Sequence, residues 1–81
     1  MRGMLNMPRA ARVRASAAGV PLRVDGHVIE QVRESWIVED RWWTGRSLRR
    51  RYWELLSTSG RNIVVFHDLG AGAGGWFTQR P

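Results

Sequence analysis

The chain lacks cysteine, and it lacks long apolar runs. Without cysteine it cannot build a disulfide scaffold, a thiolate zinc site or a cysteine nucleophile. A secretory signal needs ~7–15 uninterrupted apolar residues, and a membrane-spanning helix needs ~20. Arg9, Arg12 and Arg14 interrupt the N-terminal segment, and no later segment is apolar for that length. We therefore expect a cytoplasmic protein that does not contact a membrane.

Residues suited to catalysis or to metal binding are also scarce. One of the two histidines, His67, precedes Asp68, but neighbours in a strand point to opposite faces and form no dyad. Gly70, Gly72 and Gly75 match the spacing of a dinucleotide-binding loop. That loop needs a following helix to receive the pyrophosphate, and too few residues remain after Gly75 to form one. The sequence predicts a non-enzyme with no cofactor, no metal and no small-molecule substrate.

The length of 81 residues predicts a single domain with a thin core, for which five Trp, two Phe and one Tyr supply large side chains. The formal charge of +6 is unevenly distributed. Residues 1–19 contain four arginines and no acidic residue, and we expect them to form a disordered basic arm. Residues 20–81 are expected to form a small β domain.

β-branched and aromatic residues separated by turn pairs predict about five strands from residue 20 onward. Asp25-Gly26 is a preferred pair for a type I′ hairpin turn. The segment 27–38 also has a helical stripe of apolar residues, but its β-branched content and the preceding turn favour a strand, with Val28, Val32, Trp36 and Val38 on one face. The predicted fold is a mainly β, single small antiparallel sheet or SH3-like barrel. The predicted strands are 20–24, 27–38, 48–58, 62–68 and 75–79.

Arginine and aromatic residues are interleaved between residues 36 and 53. Guanidinium groups bind phosphate and stack on rings, and exposed aromatic rings stack on unpaired bases. The same residues are equally suited to a structural role, in which arginine stems cover the ring faces of a thin core. Both interpretations remain open at this point. Strand alternation places Arg50 on the face opposite to Arg49 and Arg51.

The two interpretations that involve binding use different residues. For a protein partner, the predicted contact residues are Trp42, Trp43, Arg46, Arg49, Arg51 and Trp53. For a nucleic acid, the predicted contact residues are Arg9, Arg12, Arg14, Arg41 and Arg50.

An ordered series of short motifs extends over residues 28–80. It comprises Val28, Val32 and Trp36, Glu-Asp-Arg-Trp-Trp at 39–43, Arg-Arg-Tyr-Trp at 50–53, Gly60, Val-Phe-His-Asp at 65–68 and Gly-Trp-Phe at 75–77. This series resembles a small bacterial family of unknown function. Members of that family are similar to the C-terminal tail region of the inactive Y-family polymerase subunit of the translesion mutagenesis machinery. The polymerase tail commonly has Gly-Pro-Trp where this chain has Glu34-Ser35-Trp36.

The resemblance implies a β-rich accessory module in damage-tolerant DNA synthesis and DNA repair. Such a module acts through protein contacts, and translesion polymerase components are its candidate partners. We therefore expect a non-enzymatic adaptor. The alternative is a nucleic-acid-binding protein that holds single-stranded DNA or RNA, including ribosomal RNA, through the Arg-aromatic region and the basic arm.

Overall fold

The computed structural model describes residues 8–41, 47–69 and 75–79, which form one antiparallel sheet of seven strands. The predicted mainly β class is confirmed, and the predicted count of five strands is corrected to seven. The described ranges contain no helix that is apolar and long enough to cross a membrane. The strands are β1 (Arg9–Ala10), β2 (Val13–Ala15), β3 (Pro21–Val24), β4 (His27–Arg41), β5 (Ser47–Ser57), β6 (Asn62–Asp68) and β7 (Trp76–Thr78).

Strands β3 to β7 correspond to the five strands expected from the sequence, and local signals account for them. Asp25 and Gly26 join β3 to β4 with φ angles of 48° and 87°. A type I′ turn requires positive φ at both central residues, so the predicted turn is confirmed. Val65 and Phe66 are both buried on β6, which lies between β5 and β7 and is covered on both faces, as its apolar run predicts.

The two additional strands lie in the segment expected to be disordered. β1 pairs with β7, and β2 pairs with β3, so this one segment reaches both ends of the strand order β1-β7-β6-β5-β4-β3-β2. The Ala11 N–H donates a hydrogen bond to the Trp76 carbonyl, and the Arg12 N–H donates to the Asp25 carboxylate. The prediction of a disordered arm is therefore wrong for residues 9–15, which curl the sheet into an incomplete barrel.

The inner face of this curved sheet carries the hydrophobic core. Val24, Leu55 and Val65 are fully buried, and Trp53 is 7% exposed. Alternate residues of β5 point to this face, so Trp53 and Leu55 lie beside their cross-strand partners on β6.

The outer face carries a row of aromatic rings across four neighbouring strands. The ring centroids of Trp36 and Tyr52 are 5.5 Å apart, those of Tyr52 and Phe66 are 5.1 Å apart, and those of Phe66 and Phe77 are 5.2 Å apart. These distances lie within the range of stabilising aromatic pairs. The outer face is thus covered by the chain's own rings at its centre, and the row ends at Trp36 on β4.

β4 does not keep a single alternation along its length. Its register with β5 shifts between Ile29 and Gln31 and again between Val32 and Glu34. A bulge inserts an extra residue and moves the following side chains to the other face. Val32 pairs with a core residue of β5, whereas Trp36 pairs with the outer-face Tyr52. The prediction that Val32 and Trp36 share a face is therefore wrong.

Candidate protein-interaction surface

The three consecutive arginines of β5 each have a partner within the chain. The Nε atom of Arg49 lies 3.4 Å from a carboxylate oxygen of Glu39. The Cζ atom of Arg50 lies 4.5 Å from the ring centroid of Phe66, and that of Arg51 lies 5.0 Å from Trp53. Arg50 and Arg51 therefore cover rings on opposite faces, as strand alternation predicts, and these contacts support the structural interpretation of both.

Trp53 was expected to contribute an exposed ring face to a binding patch, and this expectation is wrong. Its side chain is 7% exposed and packs in the core against Leu55 and Val65. Its Nε1 atom is buried and has no hydrogen-bond partner among the described residues. A donor that is buried in this way is not accessible to an external partner.

The remaining residues predicted to bind a protein partner are not all positioned. Trp42, Trp43 and Arg46 lie outside the described residues. Arg41, predicted to bind nucleic acid, is the last residue of β4. Of the predicted contact residues between 41 and 53, the structure places the side chains of Arg49, Arg50 and Arg51 on rings or a carboxylate of the same chain. It places Trp53 in the core.

Exposed apolar side chains concentrate on β4 instead. Among the described residues, six large apolar side chains are exposed, and four of them belong to β4: Val28, Val32, Trp36 and Ile37. Trp36 is 40% exposed and Ile37 is 44% exposed, although they are neighbours on opposite faces of the strand. A partner that docks along the edge of a strand can contact apolar side chains on both of its faces.

β4 is paired with β5 along one of its sides, but its other side is paired over only part of its length. β3 pairs with β4 at His27 and Val28, whereas β5 follows β4 from Ile29 to Arg41. No strand in the described part of the chain pairs with the other side of β4 beyond Val28. We call this unpaired side, residues 29–41, the open edge of β4. The sequence contained a signal for it, because the predicted strand 27–38 is much longer than the strand 20–24 that precedes it.

Acidic residues are concentrated on β4, although Arg49, Arg50 and Arg51 of β5 lie opposite its C-terminal part. Four acidic residues and two arginines lie in β4, which gives this strand a formal charge of −2 in a chain of +6. Glu34 of β4 lies directly opposite Glu54 of β5, a like-charge pair that is unfavourable in an isolated sheet. The open edge is therefore acidic and apolar.

A second group of arginines lies on β1, β2 and β3. Arg14 of β2 lies directly opposite Arg23 of β3, and both are exposed. Arg9 and Arg61 line an open groove of about 560 Å³, together with His27 and Asp25. Of the residues predicted to bind nucleic acid, Arg9, Arg12 and Arg14 thus lie together in the β1–β2 segment, and Arg50 lies elsewhere over Phe66.

No cluster of three or more histidine or acidic side chains suited to a metal ion occurs within the described ranges. Comparisons with protein-family models, curated proteins and solved structures find no match to this chain. The geometry of the described residues is therefore the basis for assigning a function.

Proposed function

We propose that this protein is a non-enzymatic protein-interaction module whose contact surface is β4. The observation that carries the proposal is the coincidence of an open edge with exposed Val32, Trp36 and Ile37. Tryptophan is enriched among the residues that contribute most to binding at protein interfaces, and the rims of such interfaces are polar. The Arg49–Glu39 pair and Arg33 provide such a rim.

We further propose that the module is an accessory to translesion DNA synthesis in the cytoplasm. This part of the proposal depends on the resemblance of residues 28–80 to the tail of the inactive Y-family polymerase subunit. β4 and β5 contain two of the six motifs that carry the resemblance in full, the Val28, Val32 and Trp36 series and the Arg-Arg-Tyr-Trp segment. Translesion polymerase components are accordingly the expected partners.

Affinity capture tests the proposal with a double variant of the exposed apolar residues. The full chain, immobilised in a nuclease-treated bacterial lysate, is expected to retain polymerase or clamp components. We expect Trp36→Ala/Ile37→Ala to reduce this capture by about tenfold or more, because each truncated anchor costs upwards of ~1 kcal/mol of binding. Leu22→Ala is the matched control, because Leu22 is also exposed but lies on β3.

Two results would contradict the proposal. Capture that is unaffected by the double variant would place the contact surface elsewhere. Capture that disappears after nuclease treatment, or that yields ribosomal proteins, would show that the association depends on nucleic acid.

A nucleic-acid-binding role is a second candidate, and the pairing of Arg14 with Arg23 favours it. Two exposed guanidiniums directly opposite each other repel, and a phosphate between them relieves the repulsion. If this end of the sheet binds single-stranded DNA or RNA, the logarithm of the affinity should fall with the logarithm of the salt concentration, with a slope of about −0.7 per contacted phosphate. The double variant Arg14→Gln/Arg23→Gln should make that slope shallower by about one to two contacts. Absence of oligonucleotide binding at low salt would exclude this role.

A further inference from the structure

We infer that the open edge of β4 accepts an added β-strand from an extended, basic segment of the partner protein. The inference rests on the proposed function, and it specifies both the binding mode and the chemistry of the partner. Three features of β4 carry it: the direction of its backbone groups, its charge and its exposed side chains.

The direction of the backbone groups follows from the hydrogen bonds of β5. The Leu69 N–H donates to the Arg49 carbonyl, and the Ser57 N–H donates to the Arg61 carbonyl. The backbone N–H and carbonyl groups of odd-numbered residues of β5 therefore point toward β6. The backbone groups of even-numbered residues must then point toward β4, because the N–H and carbonyl groups of successive residues point alternately to the two sides of a strand. The bond from the Thr58 N–H to the Val28 carbonyl agrees with this assignment.

The same alternation identifies which groups of β4 point away from the sheet. Trp36 and Val38 lie opposite Tyr52 and Arg50, so their backbone groups bond to β5. Ser35, Ile37 and Glu39 lie between these pairs, and their N–H and carbonyl groups therefore point outward from the open edge. A row of such groups is a template for strand addition, the mode in which extended peptides bind an exposed sheet edge.

Charge indicates which strand would be added. Glu30 and Glu34 are exposed on β4, and Glu34 faces Glu54 across the β4–β5 pair, whereas Glu39 is already paired with Arg49. A lysine or arginine beside Glu34 would relieve that repulsion, since opposite charges on neighbouring strands stabilise a sheet. Exposed Trp36 and Ile37 would pack against β-branched or aromatic residues placed between the basic ones. The occupant is therefore a basic segment with alternating apolar residues.

The charges argue against two other occupants. In a dimer formed by two β4 edges, a strand of formal charge −2 would pair with an identical strand. A nucleic acid would bring its phosphates against the same carboxylates. Both arrangements add like-charge repulsion to the pair at Glu34 and Glu54, whereas a basic strand removes it.

Panning a library of random peptides about twelve residues long against the full chain tests the inference, because peptides of that length span the open edge. The selected peptides should carry several lysines or arginines, should alternate these with β-branched or aromatic residues and should lack proline. Ser35→Pro removes one outward N–H and should weaken the affinity of a selected peptide by about tenfold or more. Ser35→Val, which keeps that N–H, is the matched control and should change the affinity by less than about threefold.

A second measurement leaves the protein unchanged. An added strand presents every second N–H to the edge, so a selected peptide is resynthesised with N-methyl groups on one alternate set of residues or on the other. N-methylation of the set whose N–H groups point to the edge should abolish binding, and N-methylation of the other set should not. This result does not depend on whether Ser35→Pro folds.

Four outcomes would overturn the inference. They are no enrichment, enrichment of acidic or proline-rich peptides, equal effects of the two N-methylated sets, and self-association of the chain through β4 in sedimentation experiments. If lysate capture still requires Trp36 and Ile37 while Ser35→Pro has no effect on it, strand addition fails and the proposed interaction module stands. If capture is also unaffected by Trp36→Ala/Ile37→Ala, both strand addition and the proposed interaction module fail.

Discussion

Replacing Trp53 with alanine is expected to lower the free energy of unfolding by about 3–5 kcal/mol, the cost of removing a buried large aromatic side chain. Trp53 packs in the core with Val24, Leu55 and Val65, and the Arg51 guanidinium covers its ring. Total stability of small domains begins at ~5 kcal/mol, so this variant should retain little of it. Urea denaturation followed by circular dichroism measures the effect.

Trp36→Ala is the matched control because it makes the same substitution on the same sheet at a side chain that is 40% exposed. It removes the stacking of Trp36 on Tyr52, and aromatic pairs of this kind contribute ~0.5–1.5 kcal/mol beyond their burial. A loss for Trp53→Ala no larger than that for Trp36→Ala would contradict the placement of Trp53 in the core and reopen its role in partner binding.

Deleting residues 1–15 is expected to have a comparably large effect, because it removes the segment that reaches both ends of the sheet. β1 and β2 would be lost together with the packing of Ala11 and Val13 on the core. Several backbone hydrogen bonds at ~1 kcal/mol each and the lost apolar burial suggest a destabilisation of about 3 kcal/mol. For a domain of this size, that corresponds to a decrease in melting temperature of about 12–24 °C.

The control for this deletion removes residues 1–7 alone, which leaves β1 and β2 in place. We expect its melting temperature to lie close to that of the full chain. If the chain without residues 1–15 melted at the same temperature as the full chain, residues 9–15 would be the dispensable arm that their composition suggests, and the pairing of β1 with β7 would carry no stability.

The sequence contains local signals for five strands because β-branched runs and turn pairs act over a few residues. The Asp25-Gly26 turn and the strand Asn62–Asp68 are the clearest cases. β1 has no such signal, since its partner β7 lies at the other end of the sequence. β2 forms a local hairpin with β3, and the only local signal for it is Gly19, whose φ of 86° closes the turn between them. The bulges in β4 also have no local signal in the sequence, and the one between Val32 and Glu34 places Val32 and Trp36 on opposite faces.

The candidate site could be predicted only in part. Alternation places Arg50 and Arg51 on opposite faces, but it does not indicate which face becomes the inner face of the curved sheet. Trp53 is buried because its side chain lies on that inner face. The exposed pair Trp36 and Ile37 stands out once the pairing of β3 is known to end at Val28. A difference in length between neighbouring predicted strands is the sequence feature that points to such an open edge.

Residue-resolved amide hydrogen exchange tests the openness of the β4 edge most directly. In the free protein, the amides of Ser35, Ile37 and Glu39 should exchange rapidly, whereas those of Trp36 and Val38 should be protected by β5. Addition of a basic peptide selected by panning should protect the first set and leave the second unchanged. Protection of Ser35, Ile37 and Glu39 in the free chain, or continued rapid exchange when the peptide is bound, would contradict an open edge that receives a partner strand.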